Sequence, residues 1–128
     1  MKKILVVEDE PNIMNLIVIL LERAGYAVAQ ATSAEEGISL ALAGPPDLIL
    51  MDVALPGLDG LEATRILKQA GPTSRVPVIA LTAQARKEDE ERALRAGCDG
   101  FIPKPLSTRA FLEQVSGFLG ERGRSGKG

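Results

Sequence analysis

Short apolar runs alternate along the chain with longer stretches whose apolar residues recur at helical spacing. Residues 4–7, 26–31, 48–51, 78–81 and 101–102 read as strands, the last of them short and broken by Pro103 and Pro105. The third and fourth runs contain no polar residue, the pattern of a strand covered on both faces. Five amphipathic segments follow these runs. In the first, Pro11 suits an opening turn with Asp9 or Glu10 near its start; Ile13, Leu16, Ile17, Leu20 and Leu21 form the stripe, and Gly25 stands where a C-terminal cap belongs. Thr32 or Ser33 caps the second segment, which carries Glu35 and Glu36 in its first turn and stops at Gly44-Pro45-Pro46. Leu58, Leu61, Ile66 and Leu67 mark the third, ending near Gly71-Pro72. The fourth, residues 86–96, is highly charged and stops at Gly97. Ser107 or Thr108 caps the fifth, with Phe111, Leu112, Val115, Phe118 and Leu119 along it.

This alternation predicts an α/β domain: a parallel sheet, right-handed crossovers and helices on both faces. In such sheets ligands sit beyond the carboxyl ends of the strands. Polar residues stand at four of those ends: Glu8-Asp9, Asp52, Thr82 and Lys104. Each has an ordinary explanation by itself. Asp9 and Thr82 suit helix caps, Asp52 suits a turn, and lysines are usually solvated. Capping does not account for Lys104, because a helix N-terminus repels cations. Carboxylates crowded together repel unless a cation sits among them. Oxygen ligands without His or Cys select Mg²⁺ or Mn²⁺. Asp9, Asp52 and a backbone carbonyl in the turn after Asp52 form a candidate ligand set. A carboxylate can also attack phosphorus and form an aspartyl phosphate, with a metal and Lys104 neutralising the transferring group.

Composition narrows the field. At 128 residues the chain is one domain, and with 3% aromatic residues its core must be aliphatic. Histidine is absent, which removes Ser-His-Asp and Cys-His chemistry, His metal sites and any role as a histidine kinase or histidine phosphocarrier. The single cysteine, Cys98, excludes an internal disulfide, fits a reducing cytosol and reads as a small core residue. A net charge of −2 gives no electrostatic case for nucleic-acid binding. Residues 120–128 hold one Glu against two Arg and one Lys, a Gly-rich basic tail expected to be flexible. The opening apolar run is too short for a signal peptide, and no run approaches a membrane span.

The motifs Val7-Glu8-Asp9, Leu50-Met51-Asp52, Leu55-Pro56-Gly57-Leu58-Asp59-Gly60, Leu81-Thr82-Ala83 and Lys104-Pro105 are specific in their order and spacing. Through them the chain resembles the receiver domain of two-component response regulators over residues 2–119. Asp89-Glu90-Glu91-Arg92 and Gly97-Cys98 resemble the stand-alone, DivK-like cell-cycle subgroup. The resemblance implies a doubly wound (βα)5 three-layer sandwich with flavodoxin-like strand order 2-1-3-4-5. The receiver would occupy residues 1–119. Asp52 would take a phosphoryl group from a phosphohistidine on a histidine kinase or histidine phosphotransfer protein. Asp9 and Asp52 would hold Mg²⁺ directly, Glu8 through water, and Ala54 through its carbonyl. Lys104 would contact the phosphoryl group ahead of a cis peptide at Pro105. Thr82 would move to bind the phosphoryl group, and Phe101 would swing inward and alter the face of the fourth helix, fifth strand and fifth helix. Glu8 stands where Asp is more frequent, and Phe101 where Tyr is common. Ala54 and Gln84 occupy the positions that tune dephosphorylation.

The resemblance implies a cytoplasmic signalling domain, not a classical enzyme. Its chemistry would be limited to Mg²⁺-dependent self-phosphorylation from small donors and slow autodephosphorylation. It would act by contact with a downstream protein, either as a complete single-domain regulator or as an excised receiver. The charged run of residues 86–92 reads as a solvated helix face or a partner-docking face. Rival enzymes fit poorly. A flavin carrier needs a phosphate-cradling loop where Glu8-Asp9-Glu10-Pro11 stands, a dehalogenase-type phosphatase needs an acid at Ala54, and no Walker loop exists. A phosphate-independent interaction module predicts a broken acceptor site.

Overall fold

Local chemistry sets the element boundaries. In the computed structural model, which describes residues 1–83, 86–104 and 108–120, five strands alternate with five α-helices. The strands are β1 (Lys3–Val7), β2 (Ala27–Ala31), β3 (Leu48–Asp52), β4 (Val78–Thr82) and β5 (Gly100–Pro103). The helices are α1 (Pro11–Arg23), α2 (Ala34–Ala43), α3 (Gly60–Gln69), α4 (Lys87–Ala96) and α5 (Thr108–Phe118), with a 3-10 turn at Gly71–Thr73. Glu10 caps α1 by accepting the Ile13 N–H, Ser33 caps α2 through the Glu36 N–H, and Asp59 caps α3 through the Glu62 N–H. Thr108 lies inside α5, and Ser107, Gln84, Pro105 and residues 121–128 fall outside the described residues.

All neighbouring strands pair in parallel, in the order β2-β1-β3-β4-β5. This is the doubly wound, flavodoxin-like order expected. The reversal of direction between β1 and β3 opens a crevice at the carboxyl edge. Pro103 does not break β5. It ends an edge strand, and the next residue, Lys104, donates its N–H to the Thr82 carbonyl at 2.7 Å, so the ladder needs no donor from the proline.

Alternate side chains of each strand enter two cores. Leu5, Val7, Ile49, Met51, Val78 and Ala80 face one side, where Ala34 and Ala41 of α2, Ala63 of α3, Ala93 and Ala96 of α4, and Cys98 just beyond α4 cover them. Ile4, Val6, Leu48, Leu50, Ile79 and Leu81 face the other, against Met14, Ile17 and Leu21 of α1 and Phe111 and Val115 of α5. On the first side α2 and α4 bury mostly methyl groups while α3 adds Leu61 and Leu67; on the second, large side chains predominate, each worth about 1.5–3 kcal/mol when fully buried. Two expected core positions lie outside these cores: Leu16 is 42% and Ile66 39% exposed. Met14 fills the α1 stripe instead, because the buried sector of that helix is turned toward it.

Candidate functional site

Three strand ends and one loop build the site. Beyond β1 the Glu8 N–H donates to the Ala31 carbonyl at 3.0 Å, continuing the ladder and fixing the backbone there. The Glu8 side chain is 1% exposed. Its Oε2 accepts the Glu10 N–H at 3.0 Å, and its Oε1 accepts from Lys104 Nζ at 2.8 Å. Lys104 Nζ also lies 3.4 Å from Asp52 Oδ1, which accepts the Ala54 N–H at 3.0 Å. Asp9 is exposed, and carboxylate oxygens of Glu8, Asp9 and Asp52 all lie within 4.8 Å of one another. Because Glu10 caps α1, Asp9 is not used as the cap and its carboxylate belongs to this cluster.

The charges do not balance locally. Burial pushes the Glu8 carboxyl above its usual range, and the Asp52 charge adds to that, against the pull of Lys104 and the Glu10 N–H. Burial taken alone would lower Lys104, but its contacts with Glu8 and Asp52 outweigh it and hold the ammonium above the ordinary lysine value. The Glu8 shift comes first from burial, while the Lys104 shift reflects two carboxylate partners around one ammonium. An all-oxygen cluster of carboxylates fits a hard divalent cation. Among the described residues these three acids can hold a metal.

Thr82 ends β4 and is buried. It does not cap a helix, since the N-cap of α4 is Arg86. Phe101 pairs in register with Ala80, is half-buried, and lines with Thr82, Leu61 and Ala93 a cavity of about 70 Å³ between the sheet and α4. The structure thus brings Glu8, Asp9, Asp52 and Lys104 into one cluster, with Ala54 beside it; Thr82 and Phe101 share the adjoining cavity. Gln84 and Pro105 lie outside the described residues.

Gly60 is a site residue whose reason was not legible in the sequence. A β-carbon there would lie inside the van der Waals surface of the Asp52 carbonyl oxygen, so the start of α3 is pressed against the backbone of β3. The signal available was its place at the end of the Leu55–Gly60 motif, three residues beyond Gly57, which adopts a φ of 75° in the turn. The Ala54 N–H on Asp52 was likewise invisible, since a backbone donor leaves no mark in side-chain chemistry.

Known proteins are similar to this chain in sequence and fold. A family model for the response regulator receiver domain matches residues 4–116. The polar-differentiation response regulator DivK of Brucella ovis is 42% identical over 120 residues, covering 94% of this chain and 98% of that protein. DivK of Brucella anthropi is equally similar, at 42% identity. Among solved structures, the receiver domain of the sensor histidine kinase PA1611 from Pseudomonas aeruginosa PAO1, with a magnesium ion coordinated in its active site cleft, superposes with a TM-score of 0.87 at 35% identity. That match covers 93% of this chain and 98% of the other. The chemotaxis protein CheY4 of Vibrio cholerae superposes with a TM-score of 0.88 at 25% identity, over 92% of this chain and 98% of its own. With its strand order, its acidic cluster and a motif match across nearly its whole length, the chain belongs to the response regulator receiver domain family of two-component signalling.

Proposed function

We propose that Asp52 is the phosphoacceptor and that the domain relays a phosphoryl group from a partner phosphohistidine to a downstream protein. The observation that carries this reading is the Lys104 ammonium, which reaches both Glu8 and Asp52 at the rim of a three-carboxylate cluster. An Asp52 carboxylate oxygen attacks phosphorus; the P–N bond to the partner imidazole breaks, and the imidazole leaves with its electron pair and takes up a proton. Glu8, Asp9, Asp52 and the Ala54 carbonyl would hold Mg²⁺ or Mn²⁺, which when bound neutralises charge on the transferring group. Lys104 supplies the second positive charge from the chain itself. Thr82 binds the phosphoryl oxygens, and Phe101 moves into the cavity they share, altering the α4-β5-α5 face.

Ala54 offers no side chain to orient attacking water, and Gln84 is the other residue of this chain proposed to tune the phosphate lifetime. The donor is a histidine kinase or histidine phosphotransfer protein in the cytoplasm, and the target is a protein, not DNA. No helix among the described residues is long and apolar enough to cross a membrane. Residues 1–119 form the receiver, and 120–128 a basic tail. A phosphate-independent module is disfavoured because none of the acceptor-site groups is missing.

Intact-mass measurement after incubation with acetyl phosphate tests the reading. A Mg²⁺-dependent gain of one phosphoryl group, absent in Asp52→Asn, is expected. Labelling of Asp52→Asn at the parental rate would overturn the assignment.

A further inference from the structure

Beside the cavity under Thr82 runs a second concavity of about 190 Å³, between α3 and α4. Its walls are Asp59, Leu61, Arg65, Arg92 and Arg95. Three guanidinium-bearing residues therefore converge on one groove in a chain whose net charge is −2. Helical spacing explains how: Arg92 and Arg95 are three apart on α4, and Leu61 and Arg65 four apart on α3. Two of the arginines are held by weak partners. Arg65 pairs with Glu62 at 3.1 Å and Arg95 with Glu91 at 3.7 Å, both on the surface of their own helix. Such exposed pairs contribute little and exchange readily for a better anion. The acid in the wall, Asp59, has Oδ1 committed to the Glu62 N–H at 2.8 Å.

We infer that this groove is a binding site for a phosphate-bearing anion, separate from the acceptor cluster. Guanidinium forks match phosphate oxygens in pairs and are the side chains best suited to recognise them. The volume limits the ligand. Sites for whole drug-sized molecules run from roughly 300 Å³ upward, so this groove takes one or two phosphate groups and leaves any attached organic part outside. Asp59, Leu61 and Arg92 also line the cavity that holds Thr82 and Phe101, so the two concavities share a wall.

Titration of the full chain with inorganic pyrophosphate, followed calorimetrically in EDTA, tests the inference; chelation keeps the acidic cluster from recruiting the anion through a metal. Binding is expected in the parent and in Asp52→Asn, weakened about tenfold by either Arg92→Gln or Arg95→Gln, and unchanged by Arg23→Gln on α1. These arginines are exposed, and circular dichroism checks that the variants fold. Equal affinity in Arg92→Gln, Arg95→Gln and Arg23→Gln would overturn the site, as would loss of binding in Asp52→Asn alone. Tighter binding of a poly-glutamate peptide than of pyrophosphate would overturn the phosphate class and assign the groove to an acidic protein segment. A nucleoside diphosphate that matches pyrophosphate would support the site and show that the groove reads only the phosphates.

Discussion

Lys104 lies 2.8 Å from Glu8 in a nearly closed pocket and opposes the upward push that burial exerts on the Glu8 carboxyl. Truncating Lys104 to alanine leaves a buried acid without that partner. The expected cost is about 1–3 kcal/mol in EDTA. Urea midpoints measured with and without Mg²⁺ should show a larger Mg²⁺ stabilisation for Lys104→Ala than for the parent, since the variant has more uncompensated negative charge. Identical midpoints in EDTA would reduce Lys104 to ordinary surface charge. Cys98 makes a different prediction. Burial pushes its thiol above the ordinary 9.0, against a weak contact with Thr64. The unfolded chain therefore loses this proton first as pH rises. Stability from this group is intact below the ordinary thiol value and declines above it, until the folded thiol also ionises. Near pH 8, a disulfide reagent should modify Cys98 slowly in the native chain and rapidly in urea; equal rates would contradict its burial.

At the scale of elements, the contact between α3 and β3 constrains the site most. Gly60→Ala would drive a methyl into the Asp52 carbonyl, so the helix start must shift, at about 1–3 kcal/mol. The same shift moves Asp52, and slower labelling by acetyl phosphate should accompany the lowered stability; unaltered labelling would show the strand end to be independent of α3. The alternation of elements was legible because strands buried on both faces are written as unbroken aliphatic runs. Asp52 and Thr82 were legible because each follows such a run at once, and Asp9 and Lys104 because each stands one residue beyond the end of a run, after Glu8 and Pro103. Leu16 and Ile66 misled because helical spacing defines a stripe but not how wide a sector the neighbouring layer covers. Contacts between distant segments left no local mark. Lys68 Nζ binds both Asp99 and the Val76 carbonyl at 2.8 Å, and Asp99 accepts the Val78 N–H at 2.9 Å, tying α3, β4 and the approach to β5 together away from the acidic cluster. Nothing in the local pattern around these residues announces that bond set.

Across the whole molecule, the sheet separates two unequal layers. The buried residues of α1 are Met14, Ile17 and Leu21, whereas those of α4 are Ala93 and Ala96. Interior amides of α4 should therefore exchange with deuterium faster than those of α1, because opening α4 uncovers far less apolar surface. Slower exchange in α4 would mean that its charged surface, and not its buried face, sets its stability. A methyl group has no rotamers to re-seat and few neighbours to leave, so a helix resting on alanines can tilt or slide with little repacking, while one keyed by leucine and methionine must unlock first. Helix α4 therefore behaves as a bearing, and the layer of α1 and α5 as its mounting. A disturbance at the carboxyl edge of the sheet would travel outward mainly through the bearing side, which gives the domain a front and a back before any partner approaches.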